Sequence, residues 1–142
     1  MESLSSKILL HVVTPKKQLV QEQVDEVVMP GALGYLGILP GHRPLLSTLG
    51  LGTIIYRAGN KKYTLAVFGG YAEVLPERVL IFADEGARPE DIDIEKVKEE
   101  KKEIEEELEK VKKGESSPEE VEEILLRLRK ALLLLEVAQE NS

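Results

Sequence analysis

The 142-residue chain has no cysteine and no tryptophan, and only two histidines, His11 and His42. Without cysteine there is no disulfide framework, no zinc knuckle and no thiolate nucleophile. Two histidines are too few for a multi-histidine metal site. No apolar run approaches the ~20 residues of a membrane-spanning helix. The first residues include Glu2 and lack the apolar stretch and small-residue cleavage site of a secretion signal, so an intracellular protein is expected. A net charge of −7 argues against binding nucleic acid through its phosphates. Catalytic motifs are missing too: there is no G-x-x-x-x-G-K-[ST] loop, no G-x-S-x-G elbow and no H-E-x-x-H pair. The spacing of Gly34, Gly37 and Gly41 is not that of a dinucleotide loop. Carboxylates are plentiful, but they fall on solvated helix faces where nothing raises the pKa of a general acid. No catalytic residue and no metal ligand is assigned, and an active site of its own is not expected.

What is present is unevenly spread. Residues 1–88 hold nine Lys/Arg against eight Asp/Glu, whereas residues 89–142 hold ten against 18. All six aromatics and ten of the 11 glycines lie in the first stretch. The step near Gly86–Pro89 places a domain boundary there, with one domain over 1–88 and a second over 89–142.

In the first domain, short β-branched runs separated by turn residues predict an antiparallel sandwich or barrel. The expected strands are Lys7–Val13, Gln18–Gln23, Glu26–Met29, Thr53–Ala58, Lys61–Phe68, Tyr71–Leu75 and Val79–Ala83. Gly59-Asn60 reads as a two-residue hairpin turn, since both residue types tolerate positive φ. His11 reads as a strand spacer. His42, between Pro40-Gly41 and Arg43-Pro44, is either a turn residue bonding nearby backbone or a contact residue.

The second domain reads as two antiparallel helices. Asp91 or Asp93 can cap a helix to about Lys113, with Ile94, Val97, Ile104, Leu108 and Val111 on one stripe that Lys101 interrupts. Gly114 suits a C′ position, and Ser117-Pro118-Glu119-Glu120 is a capping box that starts the second helix. From Val121 to Ala138, 12 of 18 residues are apolar, more than one stripe requires. Val121, Ile124, Leu125, Leu128, Ala131, Leu132, Leu135 and Ala138 form a stripe toward the first helix. Leu126, Leu133 and Val137 form a second one, bordered by Arg127, Arg129 and Lys130 among acidic neighbours, which reads as a contact surface.

The segment from Pro30 to Leu46, PGALGYLGILPGHRPLL, closely resembles the signature of the epsilon subunit of F-type rotary ATP synthases, G-x-x-G-I-x-P-G-H-x-P-L. The resemblance continues in register through Leu49-Gly50-Leu51-Gly52, Phe68-Gly69-Gly70-Tyr71-Ala72-Glu73-Val74, Val79–Asp84 and Glu90-Asp91-Ile92-Asp93. It implies an N-terminal β-sandwich with a C-terminal two-helix hairpin, matching the division read from composition. It also implies a stiff signature loop, with tight turns at Gly34, Gly37 and Gly41, resting on the ring of c subunits. Leu33, Gly34, Tyr35 and Leu36 are then ring-facing, with His42 close behind. Tyr35 stands where family members often carry an acidic residue, which suggests an aromatic contact in place of an ionic one.

The same resemblance implies a non-catalytic central-stalk subunit. One side of the sandwich binds the gamma subunit, and rotation of the c-ring, driven by protons or sodium ions, is coupled to ATP synthesis. The hairpin can extend along gamma to the alpha/beta head and obstruct hydrolysis, with Arg127, Arg129 and Lys130 meeting acidic residues there. Such a subunit is peripheral, on the cytoplasmic face of the energy-transducing plasma membrane. Some relatives bind ATP through I/L-D-x-x-R-A at the start of the hairpin. Here Ile92 and Asp93 match, but Lys96 replaces the arginine and Val97 the alanine, so the bidentate fork is gone and no cofactor is expected. A free-standing adaptor and a nucleotide sensor are the alternative readings.

Overall fold

Alternation of apolar and polar residues builds the first strand, β1 (Ile8–Val13), whose Ile8, Leu10 and Val12 are fully buried while the residues between them face outward. In the computed structural model, residues 7–114 and 116–140 are described. β1 is followed by β2 (Gln18–Val24), β3 (Glu26–Gly31), β4 (Gly34–Ile38), β5 (Leu45–Ala58), β6 (Lys61–Leu75), β7 (Arg78–Ala83) and β8 (Gly86–Ala87). Helices α1 (Ile94–Lys113) and α2 (Pro118–Glu140) complete the chain. It divides into two compact units, Met1–Arg88 and Pro89–Ser142.

The strands form one folded-over sheet in the order β2-β1-β7-β6-β5-β3-β4, with β8 also paired to β6, and together they make a β-sandwich. Every ladder is antiparallel except β1–β7, which is parallel from Leu9↔Arg78 to Val13↔Phe82. The inward-facing side chains, among them Val27, Met29, Ile38, Ile54, Leu65, Val67, Val74, Val79 and Ile81, are completely or almost completely buried. Each such side chain contributes about 2 kcal/mol relative to exposure.

β5 and β6 depart most from expectation. Each continues through glycines that look like breaks in the sequence, to lengths of 14 and 15 residues. A ladder needs only backbone donors and acceptors, so glycine does not end it. The pair bends instead: the register passes from Leu51↔Phe68 to Leu49↔Gly70, skipping one residue on each strand. Gly69 and Gly70 take φ of +82° and +125°, and a Cβ on Gly70 would lie 2.1 Å from the Phe82 carbonyl oxygen. Only glycine fits there. At the other end of the pair, Gly59 alone of the two turn residues has positive φ, +65°. That is the pattern of a type II′ hairpin, so Asn60 keeps ordinary backbone angles.

Two polar clips close the sandwich. Asp25, in the β2–β3 turn, accepts from Lys7 Nζ, from the Gly59 N–H at 2.7 Å, and lies 3.5 Å from the Arg57 guanidinium. It thereby joins the start of β1 to the β5–β6 turn. The Lys7 hydrogen bond, followed by that of Gly59, holds its carboxyl below its ordinary value of 3.8. At the other clip, Arg88 Nη1 donates to the Leu19 carbonyl at 3.1 Å and to the Tyr56 hydroxyl at 3.2 Å. Burial raises the pKa of that tyrosine, which stacks on Tyr63 with centroids 5.0 Å apart.

In the second unit, Asp93 is the N-cap of α1, accepting from the Lys96 N–H at 3.2 Å, and the Ser117 hydroxyl accepts from the Glu120 N–H at 3.2 Å at the start of α2. Gly114 ends α1 in extended conformation, φ −118°, with its N–H on the Val111 carbonyl, so the left-handed C′ expected there is not formed. The seam comprises Val97, Ile104, Ile124 and Ala131, flanked by Ile92, Leu108, Val111, Leu128, Leu134 and Leu135. Leu125 and Leu132, expected in it, are 41% and 46% exposed, because the single narrow stripe of α1 covers only about its own width of α2. Ile94, expected on the stripe of α1, is also exposed, at the first position of the helix.

Asp25 ionised is the form that the clip favours. Its contribution is complete above the unfolded pKa near 3.8 and disappears as the pH falls through the lower folded value. Asp25→Asn is expected to lower Tm at pH 7, and thermal melts across pH 2–7 should show that difference shrinking below about pH 4.

Candidate docking surfaces

The signature segment is a β-hairpin followed by a turn, not one continuous loop. β3 and β4 pair from Val27↔Ile38 to Gly31↔Gly34, leaving Ala32 and Leu33 at the tip. Leu33 is fully exposed, at 103%. The tip is tied to β5 by the Ala32 N–H on the Ser47 hydroxyl at 3.4 Å. Along β4 the pleat alternates: Tyr35 and Gly37 face out, Leu36 and Ile38 in. Leu36 therefore packs against the sandwich core and is withdrawn from the ring-facing set. Tyr35 remains 58% exposed, with its hydroxyl bonded back to β5.

His42 belongs to the turn. Its Nδ1–H donates to the Arg43 carbonyl at 2.7 Å and its backbone N–H to Leu39 at 3.2 Å. Gly41 donates to the Pro76 carbonyl at 2.8 Å, so this turn is fastened to the β6–β7 connection, while Ala32, next to Leu33, is fastened to Ser47. The two parts of the signature thus have separate anchors. Between them Leu39, Leu45 and Leu46 are exposed, Leu46 at 72%.

A surface that the sequence reading missed is the cross-strand pair Tyr71↔Phe82 on β6 and β7. The rings are 5.3 Å apart, tilted, and both exposed. A shallow groove of about 310 Å³ beside them is lined also by Val13, Thr14, Pro15, Ala83 and Asp84. The signal was available in the period-2 pattern, because both aromatics are out of phase with the buried Ala72, Val74, Ile81 and Ala83.

On the helices, the residues grouped as a second stripe are not alike. Leu126 is 42% exposed, whereas Leu133 and Val137 are buried. Arg127 is engaged within the hairpin, donating to Glu107 on α1 at 3.0 Å. Arg129 lines a shallow groove with Glu119, Glu122, Glu123, Leu125 and Leu126. Lys130 is half-buried.

A family model described as "ATP synthase, Delta/Epsilon chain, beta-sandwich domain" matches residues 7–89. An ATP synthase epsilon chain of Nitratidesulfovibrio vulgaris is 39% identical over 109 residues, 77% of this chain and 81% of that one. The chain belongs to the ATP synthase delta/epsilon family. The epsilon chain of Solibacter usitatus is 52% identical over 89 residues, 63% of this chain and 66% of that protein, just under two thirds of its length. A chain in the structure of the Euglena gracilis mitochondrial ATP synthase, OSCP/F1/c-ring, superposes with a TM-score of 0.76 at 23% identity, covering 97% of this chain and 84% of its own. That likeness extends the shared fold through the hairpin.

Epsilon chains of this family are non-catalytic subunits of the synthase. The described residues carry little else that bears on chemistry. They hold no group of three or more metal-ligating side chains, and no helix among them is long and apolar enough to cross a membrane. The residues that match the nucleotide motif of some epsilon subunits already have structural duties. Asp93 caps α1, Ile92 packs into the helical seam, and Lys96 gives its backbone N–H to Asp93 while its side chain is exposed. Asp93→Ala should destabilise the hairpin by about 1 kcal/mol, the usual worth of a cap. Circular dichroism should register that loss, and titration calorimetry with ATP should give no binding heat for either the parent chain or the variant.

Proposed function

We propose that this chain is the epsilon subunit of the central stalk of a rotary ATP synthase, coupling c-ring rotation to ATP synthesis in the alpha/beta head. The observation that carries the reading is Leu33: a fully exposed leucine at the tip of a hairpin tied down on both sides. A large apolar side chain held rigidly in water is poised for burial in a partner, with little ordering entropy left to lose. Leu33 and the outer face of Tyr35 meet the c-ring, with Leu46 beside them. The Tyr71–Phe82 pair gives the sandwich a second, aromatic face suited to the gamma subunit, since exposed aromatics are typical interface anchors.

The helical unit regulates hydrolysis. Leu125, Leu126 and Leu132 present apolar surface, and Arg129 and Lys130 supply positive charge for acidic residues of the head; Arg127 plays the lesser part of bracing the hairpin through Glu107. The subunit reaches the cytoplasmic face of the membrane only through the complex. Since Leu33 touches little of its own chain, Leu33→Asp should leave the fold intact, while burying an unpaired carboxylate weakens ring docking on the order of tenfold. ATP-driven proton pumping in reconstituted synthase should fall accordingly. A chain ended after Arg88 retains the Arg88 clip and should pump normally while hydrolysing ATP faster. Normal coupling with Leu33→Asp, or unchanged hydrolysis after truncation, defeats the respective half of the proposal.

A further inference from the structure

Tyr35 exposes much of its ring, but its hydroxyl is turned back into the sheet. The oxygen accepts the Thr53 N–H at 3.1 Å and lies 3.3 Å from the Thr53 hydroxyl. The β3–β5 ladder ends at Val28↔Ile55, so Thr53 lies beyond its last backbone pair. Pro30, directly opposite Tyr35 across the β3–β4 ladder, has no N–H to offer.

Next to Thr53, Gly52 provides the socket. The space that a Cβ would take there is filled by the Tyr35 oxygen at 2.5 Å and by Pro30 Cβ and Cγ at 3.1 and 3.2 Å. The Tyr35 side chain therefore reaches from β4 past the proline of β3 to the backbone of β5. An edge strand of five residues is ordinarily held by one ladder. This one has a third strand gripping it by a side-chain oxygen.

We infer that Tyr35 is a positioning residue: its hydroxyl latches onto Gly52–Thr53, fixes β4, and so sets the angle at which the Leu33 tip is presented. The inference rests on the docking role proposed for Leu33 and deepens it. Beside the contact proposed for its outer face, Tyr35 acts on the ring through Leu33 by way of its phenol oxygen. A tip without the latch would have to lose its freedom at the moment of docking, whereas the latched tip has already lost it on folding.

Three full-length variants separate the possibilities. Tyr35→Phe keeps the ring and removes the oxygen, Gly52→Ala keeps Tyr35 and expels its oxygen from the socket, and Leu33→Asp removes the contact itself. The readouts are the exchange rate of the Thr53 amide by NMR in the full chain, and protons pumped per ATP in the assembled synthase in vesicles. Loss of the Tyr35 hydrogen bond should speed Thr53 exchange on the order of tenfold in both latch variants. Pumping should fall about threefold in both, in the same direction as in Leu33→Asp. Unchanged Thr53 exchange in Tyr35→Phe overturns the latch. Faster exchange with normal pumping in both latch variants, while Leu33→Asp uncouples, overturns the positioning role and leaves the docking role standing. Normal pumping in all three overturns docking and positioning together.

Discussion

The long β5–β6 hairpin is the constraint on which the sandwich depends. It occupies the middle of the sheet, with β3 and β4 built on one side of it and β7, β8 and β1 on the other. Its bend at Gly69–Gly70 lets one pair of strands serve a sheet that folds over on itself. The features that present outward surfaces are also referred to it. Ser47 holds the Leu33 tip, Gly52 and Thr53 receive the Tyr35 oxygen, and Tyr71 carries half of the aromatic pair. Docking geometry and core geometry are therefore one problem here, since a change in the bend moves each of these anchors.

Much of this was legible in the residues. The composition step at Gly86–Pro89 and the seven short apolar runs foreshadow the sandwich, and Asp93 and Ser117 mark both helix starts. The glycine-containing segments were harder. Leu45–Gly52 looks like a loop because Pro44 precedes it and Gly50 and Gly52 interrupt it, yet its backbone pairs with β6 throughout most of its length. The signature segment misled in a similar way: glycine and proline suggested a loop, and the Gly31↔Gly34 hairpin emerges only once strand pairing is known. Side-chain partners were the least legible. Tyr35 meets Thr53 across 18 residues of sequence and Arg127 meets Glu107 across 20, and no local pattern encodes either.

The two units differ in their electrostatics. Residues 1–88 are nearly neutral, so long-range electrostatics adds little to contacts that the sandwich makes. Residues 89–142 carry an excess of acid, and several of their cations are paired along the helices, as with Lys101–Glu105 and Lys112–Glu109. Such exposed pairs add only a few tenths of a kcal/mol each. Their effect is to leave the helices soluble and their long-range field negative, so any approach to an acidic partner depends on short-range contacts near Arg129 and Lys130 and weakens readily with salt.

The parallel pairing of β1 with β7 has a consequence for biogenesis. Strands that lie side by side at Leu9↔Arg78 through Val13↔Phe82 are separated by nearly the whole sandwich in sequence. Contacts of such high contact order form late and slowly, because the intervening chain must first be closed into a loop. On the ribosome, β1 emerges before the rest of the sandwich and waits with one side of its backbone unpaired until β7 has been synthesised. This early strand is thus among the last to be secured, and in that interval its apolar face is open to chaperones.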